Sequence, residues 1–96
     1  MSHLKLVPDL PDFTLAACRE SWVEFNWFFP SSRQTPTSLE RSYLKARKVC
    51  MTCPVRVECL EWELQYELLS GRGVPGMFGG LTPRERQKVL REREQQ

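Results

Sequence analysis

Four cysteines are the side chains of this 96-residue chain that are best suited to bind a metal. Cys50, Cys53 and Cys59 form the pattern C-x2-C-x5-C, and 31 residues separate Cys18 from that triplet. Thiolates are ligands of both zinc and iron–sulfur clusters. The spacing favours a cluster, because structural zinc sites usually combine two short ligand pairs and this chain has only one. Zinc remains open as the alternative.

Disulfides are the weaker interpretation of these cysteines, because they require an oxidising compartment. A secretory signal would need an apolar stretch near the N-terminus, where this chain instead has Pro8, Asp9, Pro11 and Asp12. We therefore predict a soluble, cytoplasmic protein with reduced thiols. No apolar run approaches the about 20 residues that span a bilayer, so no membrane association is expected.

The secondary structure around the cysteines is predicted to be helical. Residues 1–12 read as a mobile lead-in, and residues 13–96 as one small all-α domain of four helices. Asp12 or Thr14 caps a short first helix that carries Cys18. A second helix runs from Thr37 or Ser38 to Val49 and delivers Cys50. Pro54 starts a third that continues to Leu69, and Cys53 lies outside the regular helix.

A glycine-rich turn, residues 71–80, separates the third helix from the last and contains all five glycines of the chain. Glycine at this density indicates positive φ angles or a close approach to the backbone. The last helix is predicted over residues 82–94. Thr82 at the N-cap, Pro83 after it and Glu85 at the third helical position form a capping box.

Charge is concentrated at the C-terminal end. The net charge is only +2, but residues 71–96 hold six basic and three acidic side chains. The basic side chains of the last helix either face solvent or contact DNA phosphates. These candidates are Arg84, Arg86, Lys88, Arg91 and Arg93.

Aromatic residues supply much of the expected core. Five of them precede Pro30, and we expect them to bury one another and to shield the metal from water: Trp22, Phe25, Trp27, Phe28 and Phe29. Met77 and Phe78, on the glycine-rich turn, either plug the core or contact a partner protein.

The order of these motifs resembles the WhiB-like proteins of actinobacteria and their phages. The resemblance covers residues from about 16 to 90. It rests on Cys18, on Phe-Phe-Pro at 28–30, on the segment 46–60 around the cysteine triplet, and on the segment 76–86, Gly-Met-Phe-Gly-Gly-Leu-Thr-Pro-Arg-Glu-Arg.

The resemblance implies a transcriptional regulator that is wrapped around a [4Fe–4S] cluster. The cluster ligands would be Cys18, Cys50, Cys53 and Cys59, and the cluster would react with nitric oxide and oxygen. The main partner implied is the C-terminal region of the principal sigma factor of RNA polymerase. The residues expected to form or support that interface are Trp22, Phe28, Phe29, Pro30, Met77, Phe78, Gly79 and Gly80.

Two departures from the family pattern qualify this expectation. Phe78 stands where the family usually has tryptophan, which keeps an aromatic anchor but loses the indole N–H. The chain also lacks a strongly basic tail. We therefore predict that DNA contact by the five basic residues of the last helix is auxiliary to sigma binding.

An enzyme is the rival class, since C-x2-C can act as a dithiol couple and a cluster-free protein could reduce disulfides. A thioredoxin-like catalyst would place that motif after a strand, and none is predicted here. His3 is the only histidine, so a histidine–carboxylate pair is also not expected. We predict that the chain is not an enzyme, with a zinc-binding interaction module and a disulfide reductase as the alternatives.

Overall fold

The computed structural model describes residues 10–31 and 33–95. Within these residues it contains helices and no strand, so the all-α prediction is confirmed. Two 3-10 turns, Phe13–Leu15 and Ala17–Arg19, precede four helices: α1 (Phe25–Phe28), α2 (Pro36–Met51), α3 (Arg56–Ser70) and α4 (Pro83–Glu94). His3 and residues 1–9 of the predicted lead-in lie outside the described residues.

The prediction of a first helix that carries Cys18 is wrong. Cys18 lies in the second of two short 3-10 turns, and the first turn is capped by Asp12, whose carboxylate accepts a hydrogen bond of 3.1 Å from the Thr14 N–H. Ala16 and Glu20 are extended and end the two turns before a full helix can form. The fourth helix is instead α1, within the aromatic stretch.

The boundaries of α2 and α3 follow from local signals. α2 begins at Pro36, slightly earlier than predicted, because the Thr35 hydroxyl accepts a hydrogen bond of 3.1 Å from the Ser38 N–H. α3 begins at Arg56 and not at Pro54. The four residues 52–55 form the turn between the two helices, so Cys53 lies outside the regular helix as predicted.

The capping box of α4 is confirmed. The Thr82 hydroxyl accepts from the Glu85 N–H at 3.2 Å, and the Glu85 carboxylate accepts from the Thr82 N–H at 2.8 Å. Pro83 occupies the first helical position, where no N–H is required. This geometry fixes the point at which the chain leaves the glycine-rich turn.

The core lies between α1, α2 and the glycine-rich turn. It consists of the buried side chains of Phe28, Ala46, Val49, Cys50 and Met77. Met77 is therefore a core plug. The expectation that the whole aromatic stretch is core is wrong for Trp22 and Phe25, which are 61% and 75% exposed. Trp22 precedes α1, and α1 itself has only four residues and is too short to bury both of its faces.

None of the helices described is both long enough and apolar enough to cross a membrane.

Candidate metal centre

All four thiols line one cavity of about 410 Å³. Cys50 comes from the last turn of α2, Cys53 from the turn between α2 and α3, and Cys59 from the first turn of α3. Cys18 comes from the 3-10 turn Ala17–Arg19. The four sulfurs therefore approach the cavity from separate backbone segments, although three of them are close in sequence.

The rest of the cavity wall is mostly apolar. Large side chains from each end of the chain contribute to it, including Phe13, Val23, Phe28, Val49, Trp62 and Met77. Such a wall restricts the access of water to any group that the thiols hold. The predicted shielding role of the aromatic stretch is therefore shared with Phe13 and Trp62, whose rings meet edge to face at 6.2 Å.

Backbone N–H groups of other residues point at three of the sulfurs. The Ala17 N–H donates to Cys53 Sγ at 3.4 Å. The Gly80 N–H donates to the Cys50 sulfur and the Gly79 N–H to the Cys59 sulfur. Donors of this kind stabilise negative charge on sulfur and tune the reduction potential of thiolate-ligated clusters.

Glycine is required at two places where the glycine-rich turn meets its neighbours. A Cβ on Gly79, at φ +59°, would lie 2.3 Å from the Leu60 Cβ on α3. A Cβ on Gly76, at φ +101°, would lie 2.5 Å from the Phe29 ring. Only a residue without a side chain lets the turn approach closely enough to aim its amides at the cavity.

Burial raises the pKa of three of these thiols. Desolvation is the main cause and the neighbouring thiols add to it, so the pKa of Cys50 and of Cys59 rises to about 11 and that of Cys18 also rises. Thiolates crowded here need a positively charged group to balance them. A dithiol catalyst shows the opposite effect, a lowered thiol pKa.

The donor set and the cavity fit a polynuclear cluster. In residues 10–31 and 33–95, no three histidine, cysteine or acidic side chains are grouped so that they could hold one metal ion. A zinc site would bring all its sulfurs to about 2.3 Å from a single ion. Here the thiols instead surround an open space, and four cysteines are the usual ligands of a [4Fe–4S] cluster.

An aromatic face extends from the surface to this cavity. Phe25 stacks on Phe29 with ring centroids 4.7 Å apart, and Phe29 meets Phe78 edge to face at 5.7 Å. All three rings line the cavity, and Phe25 is largely exposed. Trp22 lies beside Trp27 at 6.3 Å and is also exposed. We call Phe25, Phe29 and Phe78 the aromatic face.

The residues predicted to contact a partner divide into two groups. Trp22 is exposed, and Phe29, Pro30 and Phe78 are half-buried. Phe28, Met77, Gly79 and Gly80 are buried, which corrects their placement on a docking surface. The reason is that Phe28 and Met77 fill the core, while the two glycines face α3 and the cysteines.

The basic residues of α4 are not equivalent. Arg84, Lys88 and Arg91 are exposed. Arg93 makes a bidentate ion pair with Glu61 on α3, at 2.7 and 2.9 Å. Arg86 is 0% exposed, so its prediction as a phosphate contact is wrong. Its guanidinium bonds Glu67 and three backbone carbonyls inside the protein.

Sequence reasoning missed this buried charged network. Arg86 pairs with Glu67 on α3, and Glu63 lies beside Glu67. A signal was present, because Glu63 and Glu67 share a helical face with Leu60 and Leu64, and Arg86 precedes the buried Leu90 by one turn. Arg47 was also missed; it bonds the Gly80 carbonyl at 3.0 Å and pairs with Glu85.

Comparison with known proteins gives a family match over most of the chain. The model of the family described as transcription factor WhiB matches residues 13–89. The regulator WhiD of Streptomyces coelicolor is 36% identical over 83 residues, 85% of this chain and 68% of that protein. WhiB1 of Mycobacterium tuberculosis is 34% identical over 76 residues, 79% of this chain and 80% of that protein. Both are transcriptional regulators.

WhiB2 of Mycolicibacterium smegmatis is 31% identical over 97 aligned positions. That alignment covers 93% of this chain and 66% of the relative. The matched region of the family model contains all four cysteines, the aromatic face and the glycine-rich turn.

Proposed function

The chain belongs to the WhiB family of transcription factors, and from this premise we propose that it regulates transcription by presenting a cluster-dependent surface to a sigma factor. The observation that carries the proposal is the shared cavity: four cysteine thiols and three aromatic rings of one exposed face line the same space. Whatever occupies the cavity therefore affects the position of the aromatic face.

We propose that Cys18, Cys50, Cys53 and Cys59 hold a [4Fe–4S] cluster. When bound, the cluster supplies a centre that reacts with nitric oxide and oxygen. The protein contributes N–H donors to the sulfurs of Cys50, Cys53 and Cys59, and an apolar wall that limits the entry of water.

The partner we propose is the C-terminal region of the principal sigma factor. Large exposed aromatic side chains are typical anchors of protein interfaces, and Trp22 and Phe25 are more than half exposed here. Phe25 reaches the glycine-rich turn through Phe29 and Phe78. Damage to the cysteine site would therefore release the rings that shape the interface.

DNA contact is proposed as auxiliary. Three exposed cations of α4 supply it, Arg84, Lys88 and Arg91, with Arg93 held partly by Glu61. Glu92 and Glu94 on the same helix reduce the positive potential of this face. The contribution is thus sequence-independent affinity added to a complex that sigma recruits.

The test is anaerobic co-expression with the C-terminal domain of the principal sigma factor. We expect the two proteins to co-purify with iron and sulfide bound. Cys59→Ala should lose both the iron and the complex. Trp22→Ala should keep the iron and weaken sigma binding by about 30-fold or more, the usual loss at an interface anchor.

Leu69→Ala is the matched control, because Leu69 is 48% exposed at the far end of α3 and outside the aromatic face. We expect unchanged sigma binding for this variant. Equal binding by the wild type, Cys59→Ala and Trp22→Ala would contradict the proposal, as would a folded wild-type protein that carries zinc in place of iron.

A further inference from the structure

Arg86 enters the interior of the protein behind the glycine-rich turn. Its Nη1 donates to the carbonyls of Gly76 and Leu81, both at 2.8 Å, and its Nη2 donates to the Val74 carbonyl. Gly76 and Leu81 flank the four-residue segment 77–80, so one guanidinium group holds both ends of that segment.

The guanidinium is itself fixed from α3. Its Nε donates to Glu67 Oε2 at 2.7 Å, and both side chains are 0% exposed. The other oxygen of Glu67 accepts from Gln87 Nε2 at 3.0 Å. The Phe78 ring lies 5.1 Å from the Arg86 Cζ, which adds a cation–π contact. Four of the five N–H donors of the planar guanidinium are thus used, one on Glu67 and three on backbone carbonyls.

The opposite side of the same segment faces the cysteines. The amides of Gly79 and Gly80 donate to the sulfurs of Cys59 and Cys50. Arg47, which lies on α2, donates from its Nε to the Gly80 carbonyl oxygen at 3.0 Å. The segment 77–80 is therefore bounded by Arg86 on one side and by two thiols on the other.

We propose that Arg86 is a positioning residue for the metal centre: it holds the segment 77–80 so that the Gly79 and Gly80 amides stay directed at the sulfurs. This assignment rests on the proposed function for the identity of the group that the thiols bind. This positioning role differs from a simpler one, in which Arg86 only neutralises the charge of Glu67. Any cation at that place could do the latter.

Arg86→Lys separates these two roles. A lysine keeps a cation beside Glu67, but one ammonium group cannot span the carbonyls of residues 74, 76 and 81 together. A positioning role predicts faster hydrogen exchange in the segment 77–80 of the iron-loaded variant, by about tenfold, the effect of losing a buried hydrogen bond. It also predicts a lower midpoint reduction potential, because N–H donors to sulfur favour the reduced cluster.

Arg93→Lys is the matched control. Like Arg86, Arg93 joins α4 to a glutamate of α3, in its case through a bidentate pair with Glu61. Arg93 is half-exposed, however, and among the described residues it makes no bond to the glycine-rich turn. Both readouts should be unchanged in this variant. If Arg86→Lys shows the same hydrogen exchange in the segment 77–80 and the same midpoint reduction potential as the wild type, the assignment is overturned.

Glu67→Gln carries the test if Arg86→Lys does not fold. This variant keeps all the carbonyl bonds of Arg86 but loosens its anchor, so exchange in the segment 77–80 should rise by a smaller factor, and unchanged exchange would overturn the assignment. A wild-type protein without iron overturns the proposed function instead. The exchange comparison, made on that protein, still decides the role of Arg86.

Discussion

At the residue scale, Gly79 decides how closely the glycine-rich turn approaches α3. Gly79→Ala should destabilise the cluster-loaded protein by about 2–5 kcal/mol, from a clash with the Leu60 backbone and from a left-handed φ of +59°. Urea unfolding followed by circular dichroism measures this loss.

Gly73→Ala is the control for that substitution, because a Cβ there would meet only the Gln87 Nε2, at 3.6 Å, and its φ is not positive. We expect a change within about 0.5 kcal/mol. Equal stability of the two variants would show that the turn can move away from α3.

Glu63 is a buried acid whose titration should be visible in the stability of the protein. The pKa of Glu63 is raised from 4.5 to about 8, mainly by burial and also by the hydrogen bond and the charge of Glu67, while the charge of Arg86 opposes the rise. The folded state therefore keeps a proton that the unfolded state releases. The contribution of Glu63 to stability should be greatest below pH 4.5 and should fall as the pH rises towards 8.

Glu63→Gln should remove that fall, because the amide stays neutral. Urea unfolding of wild type and variant at pH 5 and at about pH 8.5 should show an advantage of the variant that grows with pH. Glu61→Gln on the same helix is the control with the opposite sign, since the hydrogen bond from Arg93 lowers the pKa of Glu61. A pH-independent difference between wild type and Glu63→Gln would contradict this assignment.

At the element scale, local signals predicted most of the fold. Pro54, the Thr82 capping box and the cysteine triplet each act over a few residues, and the corresponding turn, helix start and thiol cluster are where the sequence indicated. The buried position of Arg86 could not be read in this way. It depends on how α4 packs on α3, which brings it to a partner 19 residues away.

The other differences between the predicted and the observed structure have separate physical reasons. α2 begins before Thr37 and Ser38 because the Thr35 side chain reaches the Ser38 amide and caps the helix one residue before Pro36. Phe25 is exposed because α1 has only four residues, a length that composition does not reveal. The approach of Cys18 to the other thiols is likewise a long-range contact that its spacing alone does not specify.

The helix α4 offers a test of the auxiliary DNA contact. Alanine at Arg84, Lys88 and Arg91 together should weaken DNA binding by the sigma complex and flatten its salt dependence. Each lost phosphate contact removes about 0.9 from the slope of log K against log salt. Fluorescence anisotropy across a salt series measures the slope. The same slope in wild type and triple variant would exclude α4 from DNA contact.

At the scale of the whole molecule, the cavity replaces part of a conventional core. The described core contains few large side chains, and the space of about 410 Å³ lies among its aromatic and cysteine residues. A small domain of this kind gains stability when a bound group links its segments. Here the thiols join the 3-10 turn, α2 and α3, so ligation and folding should be coupled.

The content of iron and acid-labile sulfide in the wild-type chain, purified without oxygen, decides whether the four cysteines hold a [4Fe–4S] cluster. We expect about four of each per chain, together with broad visible absorption, and loss of both when Cys18, Cys50, Cys53 or Cys59 is replaced by alanine. A folded, colourless protein that holds one zinc ion and no sulfide would contradict this proposal.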